Sequence, residues 1–214
     1  MRWYRVGGVA LLIIVMSLVT ALCFAASNLV EAFRHDREGQ GEAALALARQ
    51  ALDYSARTHE PFPLPDKLPP LLKARGAVFV SSMLYRNGAP RCCMGTLHPR
   101  ESTLAQEIVA NALAAAAHDK RFPPIQPAEL TSFRVIVSII GDSHPITDPT
   151  TLDPVADGLA VCGPRETGVV LPGETGDVQK MIAWGRIRAG VKADEPASYL
   201  RLEAIRFMEG KSQK

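Results

Sequence analysis

The sequence has 214 residues, of which 47% are hydrophobic and 21% charged, a composition typical of a folded globular protein and not of a disordered or collagen-like chain. The net charge is +2, but Arg2 and Arg5 precede a long apolar run, and without them the basic and acidic residues balance. The chain after the apolar run is therefore neutral, and aromatic residues make up 6% of the sequence. Such a domain lacks the positive surface that phosphate-backbone binding needs, so no nucleic-acid partner is expected.

The apolar run covers residues 7–27 and contains no charged side chain. About 20 helical residues reach about 30 Å, the thickness of the hydrocarbon layer of a membrane. The sequence therefore predicts a cytoplasmic tail over residues 1–6, a transmembrane signal anchor over residues 7–27 and an extracytoplasmic C-terminal domain, as in a single-pass protein of the bacterial inner membrane. The alternative is secretion after signal cleavage, because the small residues of Ala25–Ser27 suit a signal peptidase.

The segment after the anchor is expected to be a juxtamembrane stalk over residues 28–42, followed by the folded domain over residues 43–209 and a short tail over residues 210–214. The first part of the domain has apolar residues at helical spacing, with Leu45, Ala48 and Leu52 on one face. Five prolines within Pro61–Pro70 then predict an extended connector.

The next segments alternate between strand and helix patterns. Residues 77–85 and 90–97 are strand-like and flank the turn signal Arg86-Asn87-Gly88, which predicts a hairpin. Thr103 and Gln106 have the spacing of a capping box at the start of an alanine-rich helix that ends near Asp119.

The second half of the chain also contains both strand and helix patterns. Residues 133–140 are apolar on both alternating faces except at Arg134 and Ser138, which favours a central strand. Residues 159–162 and 168–171 predict another hairpin, Asp177 is expected to cap a helix that stops at Gly190, and residues 199–207 form a final strand. The order predicts an α+β fold with a mixed or antiparallel sheet packed by helices.

The cysteines and histidines form no metal-binding pattern, so neither a metal site nor a cofactor is expected. In an oxidising compartment Cys92 or Cys93 could form a disulfide with Cys162, and the alternative is that all three are small buried thiols. The chain has no motif of the common hydrolases, nucleotide hydrolases or zinc proteases.

Two short segments carry most of the candidate chemistry. Arg91 and Cys93 stand within an apolar strand, and Asp119 and Arg121 follow the alanine-rich helix directly before two prolines. The second segment also suits a simple helix terminator in which Asp119 and Arg121 form a local ion pair.

The order of these segments resembles the AMMECR domain family, whose prokaryotic members are termed AmmeMemoRadiSam system protein A. Arg91, Cys93, Gly95 and Thr96 match the family's Leu-Arg-Gly-Cys-Ile-Gly-Thr segment. Its Asp-Pro-Arg-Phe-Pro-Pro segment matches at Asp119, Arg121, Phe122, Pro123 and Pro124. The likeness runs through LALARQAL, GAVFVSSML, PRCCMGTLHP, NALAAAAHDKRFPP, FRVIVSII, DGLAV, GVVLP and RAGV.

Some positions depart from the family pattern. Cys92 stands where the family usually has Gly, Pro90 replaces the leading Leu, and Arg188 replaces the usual Lys. Gly173-Glu174-Thr175 replaces the common Gln-Val-Ala.

The resemblance implies an α+β domain and an association with Memo-type and radical-SAM proteins, but no particular activity. One hypothesis is a membrane-tethered binding or accessory module in which Arg91, Asp119 and Arg121 satisfy each other inside the fold. The other is an extracytoplasmic enzyme, or enzyme component, with a groove around Arg91, Cys93, Gly95 and Thr96. In that case Arg91 would hold an anionic group, with Cys93, Thr96, Asp119 or Arg121 nearby as catalytic candidates. The first is favoured, because the sequence names no nucleophile with a paired base.

Overall fold

A computed structural model of the chain describes residues 29–58, 60–192 and 194–210. It confirms the predicted α+β class. The helices are α1 (Glu42–Arg57), α2 (Leu104–Ala117) and α3 (Val178–Arg188). The strands are β1 (Ala77–Leu84), β2 (Pro90–Gly95), β3 (Phe133–Ile146), β4 (Gly158–Cys162), β5 (Thr167–Val170) and β6 (Ser198–Met208).

The strands form one sheet in the order β2-β1-β3-β6-β4-β5, and every neighbouring pair is antiparallel. Both predicted hairpins are present, and the turn between β1 and β2 uses Gly88 at a φ of 69°, a left-handed conformation that favours glycine. The predicted central strand, β3, lies between β1 and β6. The last strand, β6, therefore joins the first three strands to the β4–β5 hairpin.

Helices α1 and α2 cover one face of the sheet and form the main hydrophobic core. Alternate residues of β1, β3 and β6 point into this core, and the alanine-rich stripes of both helices allow close packing against them. The predicted capping box is present at the start of α2: the Thr103 hydroxyl accepts from the Gln106 backbone N–H, and the Gln106 side chain bonds back to Thr103.

Residues 29–41 belong to the folded domain and do not form the separate stalk that the sequence predicts. Residues 29–35 are helical and continue into a π-helical turn at Arg37–Gly41. Leu29, Val30 and Phe33 are buried in the main core, and the Phe33 ring lies 5.7 Å from the ring of Phe207. Burial of these apolar side chains fixes the segment to the sheet.

A second, smaller core lies between α3 and the β4–β5 hairpin. The Asp177 carboxylate caps α3 by accepting from the backbone N–H groups of Gln179 and Lys180, and Gly190 ends it at a φ of 63°, as predicted. A Cβ at Gly168 would overlap the backbone carbonyl of Gly185, so glycine is required for the close contact between β5 and α3.

No helix within the described ranges is long and apolar enough to cross a membrane. The predicted cytoplasmic tail and signal anchor, residues 1–27, lie outside those ranges, so the anchor, the secretory alternative and the extracytoplasmic location stay predictions.

Candidate ligand-binding site

The motif arginine of β2, Arg91, is held inside the protein by an ion pair. Its Nε and Nη2 donate to the Glu129 carboxylate at 2.9 and 2.8 Å, and Nη2 also donates to the Pro123 carbonyl at 3.0 Å. Only 7% of Arg91 is exposed, and Nη1 has no partner among the described residues. The sequence did not indicate Glu129 as the partner, and this pairing ties β2 to the segment before β3.

Asp119 and Arg121 form the local ion pair that the helix-terminator interpretation predicts, with Nη2 of Arg121 2.7 Å from Oδ2 of Asp119. The pair also binds the free edge of β2, because Asp119 accepts from the Cys93 N–H at 2.8 Å and Arg121 donates to the Cys93 carbonyl at 3.0 Å. Burial raises the pKa of Asp119, but the bonds from Arg121 and Cys93 outweigh it and lower the pKa below its ordinary value. The pair thus satisfies backbone groups that an edge strand leaves open.

Thr96 donates its hydroxyl at 2.7 Å to Glu107, a carboxylate of α2 that is only 1% exposed. The other Glu107 oxygen accepts from the backbone N–H groups of Arg100 and Glu101, both at 2.8 Å. Burial raises the pKa of Glu107, but these hydrogen bonds to the ionised form lower it below its ordinary value.

Gly95, the remaining motif position, lies against Phe79, whose ring a Cβ at Gly95 would overlap. Arg91, Gly95 and Thr96 are therefore occupied in building the fold. Cys93 and Arg121 are the members of the predicted set that line a cavity.

This cavity, which we call the central cavity, has a volume of about 400 Å³ and lies between α3 and the sheet face opposite α1 and α2. Cys93 comes from one edge strand, whereas Leu171 and Glu174 follow the other edge strand. Because both edges line the same space, the sheet must curl around it. The cavity is also lined by Ser81, Met83, Ile136, Ser138, Trp184 and Arg206.

The hydroxyl of Ser138 is the most unusual polar group of the central cavity. Ser138 is 0% exposed, and its Oγ has no hydrogen-bond partner among the described residues. Register places Ser138 opposite Phe79 of β1 and Arg206 of β6. Buried hydroxyls nearly always have a partner, so this one indicates a place for a water or ligand atom.

The Cys92 and Cys93 thiols near the central cavity have raised pKa values and are not activated as nucleophiles. The Ser81 hydroxyl donates to Cys93 Sγ at 3.1 Å, and burial raises the Cys93 pKa above its ordinary value. Burial likewise raises the pKa of Cys92, which lies in the main core, to about 11. Both thiols are therefore protonated at neutral pH and are poor nucleophiles.

Arg206 brings a positive charge into the central cavity. Its Nη1 donates to the Pro172 carbonyl at 3.0 Å and its Nη2 lies 3.6 Å from Met83 Sδ, while its buried Nε has no partner among the described residues. Burial lowers the pKa of Arg206, Glu174 opposes this effect, and the neighbouring Arg134 guanidinium adds to it. No carboxylate in the described part of the chain pairs with Arg206 at ion-pair distance.

A second space, which we call the arginine cavity, lies beside the first and has a volume of about 430 Å³. Arg206 and Met83 line both cavities and form their common wall. Among the described residues the lining comprises Arg37, Met83, Arg134, Gly173, Arg206 and Met208, which are three arginines and no acidic residue.

Neither a disulfide nor a metal site occurs among the described residues, where Cys92, Cys93 and Cys162 are free thiols and no cluster could hold a metal ion. The structure supports free thiols, of which Cys92 is buried and Cys93 and Cys162 are partly buried.

The sequence profile of the AMMECR1 domain matches residues 45–211. The chain belongs to the AMMECR1 domain family. A protein of Thermotoga maritima is 37% identical over 148 residues, which cover 67% of this chain and 84% of the relative. A protein of Methanothermobacter thermautotrophicus is 32% identical over 139 residues, which cover 62% of this chain and 71% of the relative.

The AMMECR1 domain is also similar in fold to a solved structure. The crystal structure of an uncharacterised protein from Pyrococcus horikoshii matches with a TM-score of 0.72 and 26% sequence identity, covering 80% of this chain and 92% of that one. The family resemblance predicted from the segment order is therefore confirmed.

Glu174 and Arg188, two positions at which the sequence departs from the pattern that the resemblance implies, form an ion pair at the central cavity. Arg188 donates to Glu174 at 2.7 Å. Arg188 also donates to the Val169 carbonyl at 2.5 Å and lies 5.9 Å from the Trp184 ring. The two changes together form one ion pair, which fixes the cavity wall next to α3.

The sequence analysis of the AMMECR1 domain missed Arg206, Arg134 and Ser138 as site residues. A signal was present, because Arg134 and Ser138 are the polar exceptions in an otherwise apolar central strand. They are four residues apart, so they lie on the same face of β3. A pair of polar residues on one face of a buried strand indicates a polar site on that face.

Proposed function

We propose that this AMMECR1 domain is a binding module for a small organic anion, which occupies the central cavity with its charge at Arg206 and its apolar part against α3. The observation that carries the proposal is a pair of incompletely satisfied groups among the described residues: the partly buried Arg206 guanidinium, which has no ion pair and an unbonded Nε, and the buried Ser138 hydroxyl. Burial of a cation without a counter-charge is costly, and such groups are retained chiefly where a ligand completes them.

The walls of the central cavity support an apolar part in the ligand. Met83, Ile136 and Leu171 lie inside, and α3 adds Trp184 and Ile187 at the rim, where 38% and 73% of these residues are exposed. Concave sites with mostly apolar walls and a few polar groups are typical of small-molecule binding. An anion with an apolar body fits this arrangement better than a bare inorganic ion.

Binding has more support than catalysis. Cys93 is a protonated thiol, Glu174 is engaged by Arg188, and no histidine lines the central cavity in the described part of the chain. The alternative enzyme, with a groove around the motif, has little support because Arg91, Gly95 and Thr96 do not line this cavity. A membrane tether and Memo-type or radical-SAM partners stay predictions from the sequence.

The test uses the full-length chain with Trp3→Phe, which leaves Trp184 as the single tryptophan at the cavity rim. We expect phenylacetate to change the Trp184 fluorescence in a saturable manner and calorimetry to give the same Kd. Arg206→Met should weaken binding by about 10- to 100-fold, since a hydrogen bond to a charged group contributes about 1.5–3 kcal/mol. Arg165→Met, at an exposed arginine outside both cavities, is the matched control and should bind normally. Equal affinity of Arg206→Met and the control, or no saturable binding, would contradict the proposal.

A further inference from the structure

We infer that the arginine cavity is a second subsite, which takes a phosphoryl group, so that the ligand is an organic phosphate whose apolar body lies in the central cavity. This inference rests on the proposed function and names the class of its ligand. Three features carry it: the convergence of three arginines, the absence of a carboxylate from the lining, and the wall that the two cavities share.

The three guanidinium groups come from separate parts of the fold. Arg37 lies in the π-helical turn before α1, Arg134 in β3 and Arg206 in β6. Arg37 is held in place, because its Nη2 donates to the Arg206 carbonyl at 3.2 Å and its guanidinium lies 5.0 Å from the Phe207 ring centroid. Packing of distant segments therefore brings three like charges to one space.

Several other partly buried arginines in the described part of the chain are neutralised by a carboxylate. Arg49 pairs with Glu209, Arg91 pairs with Glu129, and Arg188 pairs with Glu174. By contrast, Arg134 has no hydrogen-bond acceptor within the described ranges, and its Nε is buried. Like charges that converge without a counter-charge repel each other, and an anion between them removes that repulsion.

A phosphoryl group matches this cavity better than a carboxylate does. It carries nearly two negative charges at neutral pH and presents three terminal oxygens, so several arginine forks can bind it together. Gly173 keeps space beside Arg206, because a Cβ there would lie 3.2 Å from Arg206 Nη1, and its φ of 70° favours glycine.

The two cavities are separated by side chains that can adjust. Arg206 and Met83 line both, and they contact each other through Nη2 and Sδ at 3.6 Å. Methionine is unbranched and adapts its shape readily. One ligand can therefore place its phosphoryl group among the arginines and its apolar body against Ile136 and Trp184.

The test compares phenyl phosphate with phenylacetate on the full-length chain, by calorimetry and by Trp184 fluorescence in the Trp3→Phe background. We expect phenyl phosphate to bind about tenfold more tightly than phenylacetate. Arg134→Met should abolish this preference by weakening phenyl phosphate far more than phenylacetate, whereas Arg134→Lys should keep part of it. The control Arg165→Met should behave as the parent chain. Thermal unfolding of each variant, without ligand, verifies that it is folded.

The outcomes separate this inference from the proposed function. If phenylacetate binds through Arg206 but phenyl phosphate binds no more tightly, or if Arg134→Met leaves the preference intact, the phosphoryl subsite is wrong and the central cavity still binds anions. If neither compound binds, the proposed function fails and the inference fails with it. Equal weakening of both compounds by Arg134→Met would also overturn the inference, because Arg134 would then act on the whole site.

Discussion

The charged groups around β2 and those of the arginine cavity differ in how they are compensated. At β2, Arg91 has Glu129, Arg121 has Asp119, and Glu107 has several donors. In the arginine cavity, Arg134 and Arg206 have no carboxylate partner within the described residues. The first region holds charges that stabilise the fold, and the second holds charges that a ligand can satisfy.

This difference shows that the most recognisable motif of the chain need not be its binding site. Arg91, Gly95 and Thr96 are held by partners inside the protein, so their identity is explained by packing and hydrogen bonding. Among the described residues that line the two cavities, Arg134, Ser138 and Arg206 have unsatisfied buried groups, and they lie outside the Arg91–Thr96 motif. The comparison can be tested by removing charges from each region and measuring both stability and anion binding.

Glu107→Leu should have the largest effect. It leaves the Thr96 hydroxyl and the backbone N–H groups of Arg100 and Glu101 without their acceptor inside the protein. We expect the free energy of unfolding to fall by about 3–5 kcal/mol, since each buried unsatisfied group costs about 1–3 kcal/mol. Chemical denaturation followed by circular dichroism measures the loss.

The control for Glu107→Leu is Glu101→Gln, whose side chain is exposed and which should be nearly neutral. Acid titration gives a second check. The folded-state pKa of Glu107 is below its ordinary value of 4.5, so its contribution is complete above about pH 5 and is lost as the pH falls through the lowered pKa. Glu107→Leu should reduce this acid-induced loss of stability. If the free energy of unfolding of Glu107→Leu fell with decreasing pH as steeply as that of the parent chain, Glu107 would not be a source of the loss.

Arg91→Met should lower stability by about 2 kcal/mol, because it leaves the Glu129 carboxylate and the Pro123 carbonyl without their donor. Affinity for phenylacetate should stay within twofold of the parent chain. Arg86→Met, in the exposed hairpin turn, is the matched control. Loss of anion binding in a stable Arg91→Met protein would instead favour a groove at the motif.

Of the three substitutions, Arg134→Met should change the free energy of unfolding least, and it should raise that free energy instead of lowering it. Because it removes a partly buried charge that has no counter-charge, we expect the ligand-free protein to gain about 0.5–1 kcal/mol. Thermal unfolding with and without phenyl phosphate measures this gain and the accompanying loss of ligand stabilisation. A destabilised ligand-free variant would mean that Arg134 supports the fold as Arg91 does.

Local signals in the sequence predicted most of the secondary structure. The capping box at Thr103 and the Asp177 cap gave correct helix starts, and the turn at Gly88 gave a correct hairpin. These features depend on residues close in the chain, so their patterns can be read directly. The contribution of Phe33 to the core was missed, because its partner Phe207 is distant in sequence.

The candidate site was predicted only in part, because its geometry depends on the curl of the sheet. Two residues of the motif segments, Cys93 and Arg121, line the central cavity, but nothing local in the sequence brings Glu174 or Arg206 near them. The sequence placed Arg91 with Asp119 and Arg121 in the favoured hypothesis and did not indicate Glu129, because Glu129 lies 38 residues away and their pairing follows from tertiary packing.

The position of β6 has a consequence for how the protein becomes functional during synthesis. It is the last strand that the structure describes, yet it lies between β3 and β4. A ribosome therefore releases β1 to β3 and the β4–β5 hairpin before the strand that joins them, and closing a sheet through such distant contacts is slow. Both cavities require Arg206 of β6, so the nascent chain completes the proposed ligand site only in the last stage of folding.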